Sequence, residues 1–118
     1  EGMLRDYCFV CDVVKANLLA LDKGSGQAFN IGTGVATCTA DLFGHVFRSL
    51  KKRLHETPSA LGIPAKGPAR MGDLRRSCLN IDKARTLLGW SPSATIADGV
   101  EQTVRWSLAN RHSKATAV

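Results

Sequence analysis

Arg70-Met-Gly-Asp73 sets a guanidinium and a carboxylate on either side of a glycine, just ahead of a short helical pattern closed by Gly89. The glycine lets backbone come close to a ligand, so the two charged groups can converge on one polar molecule. A guanidinium offers forked donors to phosphate oxygens, and a carboxylate accepts from the hydroxyls of a sugar or ribose. Such a pair suits a phosphorylated sugar or a nucleotide. Residues of these types also make up ordinary solvated loops, and their spacing alone leaves both readings open.

Reaction chemistry is not visible beside them. His45, His55 and His112 fall on a helical pattern, in a loop and in the tail, without the H-x-x-x-H spacing of a metal site. Tyr7 is the only tyrosine and no lysine stands four residues after it, and no serine sits in a nucleophile elbow. Gly32-Thr-Gly34 lacks the third glycine of a dinucleotide fingerprint, because position 37 is threonine; Gly24-Ser-Gly26 meets phenylalanine at position 29. Cys8 and Cys11 have C-x-x-C spacing, but no second close pair completes a zinc site. Their neighbours Tyr7, Phe9, Val10 and Val13 are apolar, so both are predicted to lie buried as reduced thiols. That cysteine usage suits a reducing, cytoplasmic compartment.

The elements that must position these groups follow from periodicity. Asp6 to Val10 reads as a short strand. Val10, Val13, Val14, Asn17, Leu18 and Leu21 then repeat with helical spacing, stopped by Gly24-Ser-Gly26. Gln27 to Ile31 reads as a second strand. Leu42, Val46, Phe47 and Leu50 mark the next helix, with Cys38 or Thr39 near its start and Asp41 favourable in its first turn. From His55 to Pro68, prolines and glycines predict loop with at most a short strand. Asn80 is placed to cap a helix over Ile81 to Leu88. Thr95-Ile-Ala-Asp98 has the form of a capping box opening a last helix, along which Ile96, Val100, Val104 and Leu108 repeat.

A length of 118 residues with 44% hydrophobic content fits one globular domain at most. No apolar run reaches the length of a membrane span, so no membrane partner is expected. The net charge of +6 raises nucleic acid as a partner, but the bases are scattered. They sit at Lys51-Lys52-Arg53, at Arg70, Arg75 and Arg76, and around Arg111 and Lys114, with no aromatic platform for stacking. Nucleic-acid binding is therefore not expected. The chain opens on Glu1 and is expected to be a piece of something longer.

Four stretches taken in order resemble one family: Arg5-Asp-Tyr-Cys-Phe-Val-Cys-Asp12, Phe29-Asn-Ile-Gly-Thr-Gly34, Arg70-Met-Gly-Asp73, and Asn80-Ile-Asp-Lys-Ala-Arg-Thr-Leu-Leu-Gly-Trp90. They are similar to the C-terminal part of the extended short-chain dehydrogenase/reductases, the NAD-dependent nucleotide-sugar epimerases and dehydratases, and nearest in type to UDP-glucose 4-epimerase. The resemblance implies an α/β fold: residues 1–35 as elements packing on a Rossmann sheet, residues 36–110 as a substrate-binding cap, and residues 111–118 as a frayed tail. It implies NAD as cofactor, bound mainly by an N-terminal portion outside these residues, a nucleotide-sugar substrate, and often a homodimer. Arg5 and Arg70 would bind the diphosphate and Asp73 the nucleoside, while Asp12 and Asn30 would hold the domain junction. No catalytic residue is assigned to this stretch.

The family usually carries an acid where this chain has Cys11; if that acid caps the helix, its loss costs about 1 kcal/mol. Three activities fit the resemblance: an epimerase, a dehydratase or decarboxylase, and a binding module that kept the fold without the chemistry. On this reading the chain positions the nucleotide end of the substrate and supplies no proton transfer itself.

Overall fold

The computed structural model describes residues 2–56, 58–65, 67–68 and 70–110. Its regular elements are β1 (Leu4–Arg5), α1 (Val10–Asp22), β2 (Thr37–Cys38), α2 (Thr39–Lys51) and α3 (Ile96–Ala109). A 3-10 turn over Ser59–Gly62 and a π-helical segment over Ala84–Leu88 complete them. The predicted tail, 111–118, lies outside the described residues.

β1 is the middle of a small three-way ladder. It pairs antiparallel with β2, Leu4 opposite Cys38 and Arg5 opposite Thr37. On its other edge Leu4 bridges Arg76 in parallel. There Leu4 N–H donates to the Arg75 carbonyl and Ser77 N–H donates to the Leu4 carbonyl, both at 2.9 Å. Sequence spacing predicts the strand over Asp6 to Val10; it lies earlier and is shorter. Phe9, extended at φ −72° and ψ 139°, is already the N-cap of α1, so Val10 belongs to the helix.

The Gln27–Ile31 segment, predicted as a strand, joins no ladder among the described residues. Its alternation is nonetheless used, since Phe29 and Ile31 pack against the core. A strand needs a neighbouring backbone to pair with, and side-chain pattern does not supply one.

The core centres on Ala16 from α1 with Ile81, Ala84, Leu88 and Trp90, flanked by Cys8, Leu19, Phe29, Ile31 and Leu79. Residues 1–35 and 36–110 thus contribute to one cluster. Trp90 is 1% exposed, and its Nε1–H donates to the Asp12 carbonyl at 2.8 Å. The helix expected over Ile81 to Leu88 widens: the Ala84 carbonyl receives both Gly89 N–H and, at 3.2 Å, Trp90 N–H. This broad turn carries the indole into the core. Gly89 ends it in the left-handed conformation, at φ 66°. Asn80 caps its start as expected, its Oδ1 accepting from Asp82 N–H at 2.9 Å.

A second layer forms where α2 packs on α3, burying Val104 and Ser49. Asp41 in the first turn of α2 and Arg48 and Lys51 in its last complement the helix dipole. Thr95 caps α3 by accepting from Asp98 N–H at 3.2 Å. In place of the full capping box, the shorter Asp98 carboxylate accepts the Thr95 hydroxyl at 2.6 Å. No helix among the described residues is long and apolar enough to cross a membrane.

Candidate functional site

β1 delivers Arg5 to the loop that follows the Arg70 turn. Its Nη1 donates to the carbonyls of Leu74, at 2.6 Å, and Leu4, at 2.9 Å. Its Nη2 donates to Asp73 Oδ1 at 3.0 Å and meets the Met3 sulfur at 3.2 Å. The Arg5 and Asp73 side chains keep 26% and 34% of their surface, so the ion pair is neither buried nor freely solvated. Residues separated by 68 positions are thereby joined.

Arg70 stands at the head of a tight turn, closed by Asp73 N–H donating to the Arg70 carbonyl at 3.3 Å. Gly72 occupies the corner at φ 82°, a conformation that favours glycine. The Arg70 side chain is exposed and makes no hydrogen bond or ion pair among the described residues. Spacing suggests Arg70 and Asp73 as the converging charges; in the structure the Asp73 carboxylate is held by Arg5, while Arg70 keeps its fork for other partners. Arg75 and Arg76 follow on exposed positions, so cationic side chains outnumber the single carboxylate here. That balance favours an anion.

Behind this pair sits Asp6, which sequence reasoning passed over. Its Oδ1 accepts from Thr33 N–H at 2.7 Å and the Thr33 hydroxyl at 2.6 Å. Its Oδ2 accepts from Gly34 N–H at 2.9 Å and Leu79 N–H at 3.3 Å. Partial burial works against its charge, but the four donors outweigh it and hold the carboxyl below its usual value. The legible signal was the glycine pair around Thr33, which could be read only against a nucleotide fingerprint.

Asp12 is 1% exposed. It accepts from Ser93 N–H and Ala94 N–H at 3.0 Å each, from the Ser93 hydroxyl at 2.6 Å and from Lys15 Nζ at 3.3 Å. Burial opposes its ionisation, yet the Ser93 hydroxyl, the two backbone donors and Lys15 bring its pKa down to about 2. Asn30 Nδ2 donates to the Asn80 carbonyl at 3.2 Å. These contacts tie loops together and leave no carboxylate oxygen of Asp12 open for catalysis.

All four cysteines are free. Cys8 is half-buried, but Cys11, predicted to be buried, lies exposed in the first turn of α1. The helical period turns residue 11 away from the Ala16 side that meets the core. Burial, then the charges of Asp12 and Asp6, push the Cys8 thiol up, which disfavours the thiolate. No group of three or more His, Cys, Asp or Glu residues could hold a metal among the described residues.

The family model described as GDP-mannose 4,6 dehydratase matches residues 2–103. The UDP-glucose 4-epimerase of Mycolicibacterium smegmatis is 43% identical over 103 residues, which cover 86% of this chain and 30% of that protein. The crystal structure of UDP-glucose 4-epimerase with UDP-glucose from Thermotoga maritima superposes with a TM-score of 0.80 at 36% identity. That match covers 93% of this chain and 33% of the other. A dTDP-glucose 4,6-dehydratase from Bacillus anthracis, solved in complex with NAD, superposes with a TM-score of 0.76 at 25% identity, covering 94% and 33%. The chain spans about a third of the length of these relatives. In sequence over nearly its whole described length, and in fold, it belongs to the family of extended short-chain dehydrogenase/reductases that includes the nucleotide-sugar epimerases and dehydratases.

Proposed function

We propose that the loop around Arg5, Arg70 and Asp73 holds the nucleotide end of a nucleotide sugar, as the substrate-binding part of an NAD-dependent epimerase of the UDP-glucose 4-epimerase type. The observation that carries this reading is the Arg5–Asp73 pair at 3.0 Å beside a turn whose Arg70 fork is unengaged among the described residues. Arg70 meets the diphosphate, where its forked donors match phosphate oxygens. Arg5, whose Nη donors are engaged by Leu4, Leu74, Met3 and Asp73, adds its positive charge beside the same diphosphate. Asp73 retains acceptor capacity for the hydroxyls of the nucleoside. The likeness to a Thermotoga maritima enzyme solved with UDP-glucose supports this choice of ligand.

NAD, when bound to the whole enzyme, supplies hydride exchange at the sugar. The residues described here do not fit that cofactor: the N–H groups of Thr33 and Gly34, which could have faced a pyrophosphate, already donate to Asp6. The contribution of this chain is orientation, fixing one end of the substrate so that the sugar meets chemistry supplied elsewhere in the enzyme. The exposed face of α1, with Val10, Val14 and Leu18, is where the NAD-binding portion packs.

Titrating the 118-residue chain with UDP and with uridine, by calorimetry, tests the reading. UDP should bind and uridine should bind far more weakly, while NAD plus UDP-glucose should give no epimerised product. Equal affinity for the two ligands removes the phosphate contact; product formation would place catalytic residues within this chain.

A further inference from the structure

Gly32-Thr-Gly34 is a turn of successive backbone donors with no outside anion to serve, because the carboxylate of Asp6 fills it. Such turns are anion cradles. A side chain at Gly32 would meet Asp6 Oδ2 at 2.7 Å and Leu79 Cδ1 at 2.8 Å, so the missing Cβ is what admits the carboxylate. Gly34 takes φ 73°, a left-handed conformation that favours glycine, and its N–H donates to Asp6 Oδ2 at 2.9 Å.

The same carboxylate continues the ladder. Leu4 is bonded to Arg75 and Ser77, and in a parallel pairing the next donor along that strand, Leu79 N–H, would be taken by the backbone of Asp6. It is taken by Asp6 Oδ2 instead, at 3.3 Å. Asp6 thus pins three chain segments at the residue directly after Arg5: the end of β1, the 32–34 turn, and the strand-like run that leaves Asp73 and Leu74. Arg5 in turn reaches both Asp73 and Leu74.

We infer that Asp6 is the positioning residue of the nucleotide site, holding Arg5 and the 73–79 run in register so that the Arg5–Asp73 pair and the Arg70 turn present one surface. The inference rests on the nucleotide reading above and goes beyond it by assigning the Gly-Thr-Gly turn an internal ligand. Asp6 touches no substrate; it acts through Arg5.

The test is UDP affinity, by calorimetry on the 118-residue chain, in a double-mutant cycle of Asp6→Asn and Arg5→Gln. Asp6→Asn keeps the size and loses the charge that several donors share, and should weaken UDP about tenfold. In the Arg5→Gln background the same change should cost less than about twofold, since residues that act as a unit are not additive. A merely structural role would give the same loss in both backgrounds and overturn the inference. So would UDP affinity equal to wild type in Asp6→Asn. If Asp6→Asn does not fold, Thr33→Val, which removes one hydrogen bond from the carboxylate, should give a smaller loss with the same dependence on Arg5; unchanged affinity there overturns the inference too. Failure of the wild type to bind UDP overturns the nucleotide reading itself, and this inference with it.

Discussion

Arg70 carries its charge on a turn where no described side chain competes for it, so truncating it removes a ligand contact and little else. Arg70→Ala should weaken UDP binding by roughly ten- to a hundred-fold, the range for a charge-assisted hydrogen bond worth about 1.5–3 kcal/mol. Arg70→Lys should recover part of that, because lysine keeps the charge without the planar fork. Arg85, which pairs with Asp82 at 3.7 Å on the surface, is the control and should change little. Equal affinity in wild type and Arg70→Ala by calorimetry returns the turn to a solvated loop. Asp12 bears instead on stability. Its carboxyl is 1% exposed and falls from 3.8 to about 2 in the folded chain. A folded-state pKa below the unfolded one stabilises at pH values above the unfolded value, and that stabilisation is lost as pH falls through the folded value. Asp12 should thus contribute about 2 kcal/mol above pH 4, lost between pH 4 and pH 2. Urea midpoints in Asp12→Asn should be lower than wild type at pH 7 and should converge with it near pH 2; parallel curves would assign the effect elsewhere. At this scale residue types were legible and pairings were not. Arg70 and Asp73 announce themselves by spacing, whereas the Arg5–Asp73 bond joins residues 68 apart, which no local pattern encodes. Asp6 was invisible for the same reason: its donors come from Thr33, Gly34 and Leu79.

Helices were the most legible elements because their signal is local. The periodicities over α1, α2 and α3 give spans close to those observed, and the Thr95 and Asn80 caps sit where their side chains indicate. The strands were not legible. β1 and β2 are two residues each, too short for alternation to register, and they exist because Leu4 has neighbours on both edges. Gln27 to Ile31 has the alternation and lacks a pairing neighbour among the described residues. The π-helical segment was also hidden, since helical spacing does not reveal an extra residue in a turn. Gly89, which closes it, gives a clean test. A Cβ there would meet only Lys23 Nζ, at 3.8 Å, so space is not the constraint; φ at 66° is. Gly89→Ala should therefore cost about 1 kcal/mol through backbone strain alone. Gly89→Asn should cost less, because asparagine tolerates the left-handed region. Chemical denaturation of the two variants checks the order, and an alanine variant as stable as wild type would show that the segment closes in another way.

For the molecule as a whole, the balance between buried and exposed apolar surface decides its behaviour. The core holds few fully buried large side chains, while Val10, Val14, Leu18 and Leu21 on α1 remain 63%, 49%, 59% and 80% exposed. These four lie three or four residues apart and so form one stripe. At the N-terminal end of the stripe Val10 also lines a groove with Cys11 and Trp106, of ≈ 770 Å³. A contiguous apolar face of this kind on a small chain is a surface that water does not favour, and self-association covers it when nothing else does. The isolated chain should then bind a hydrophobic dye and associate as its concentration rises, with a broad, marginal melt. Val14→Lys with Leu18→Glu should abolish the association and the dye signal while leaving the far-ultraviolet spectrum unchanged. Both positions lie on the exposed side of α1, away from Ala16 and the core. The charges also sit at i and i+4, so they add a small attraction in place of a packing loss. Sedimentation across a concentration series separates the outcomes. A wild-type chain that stays monomeric, excludes the dye and melts sharply and reversibly would show that this face needs no cover, and would withdraw it as the place where an NAD-binding portion packs.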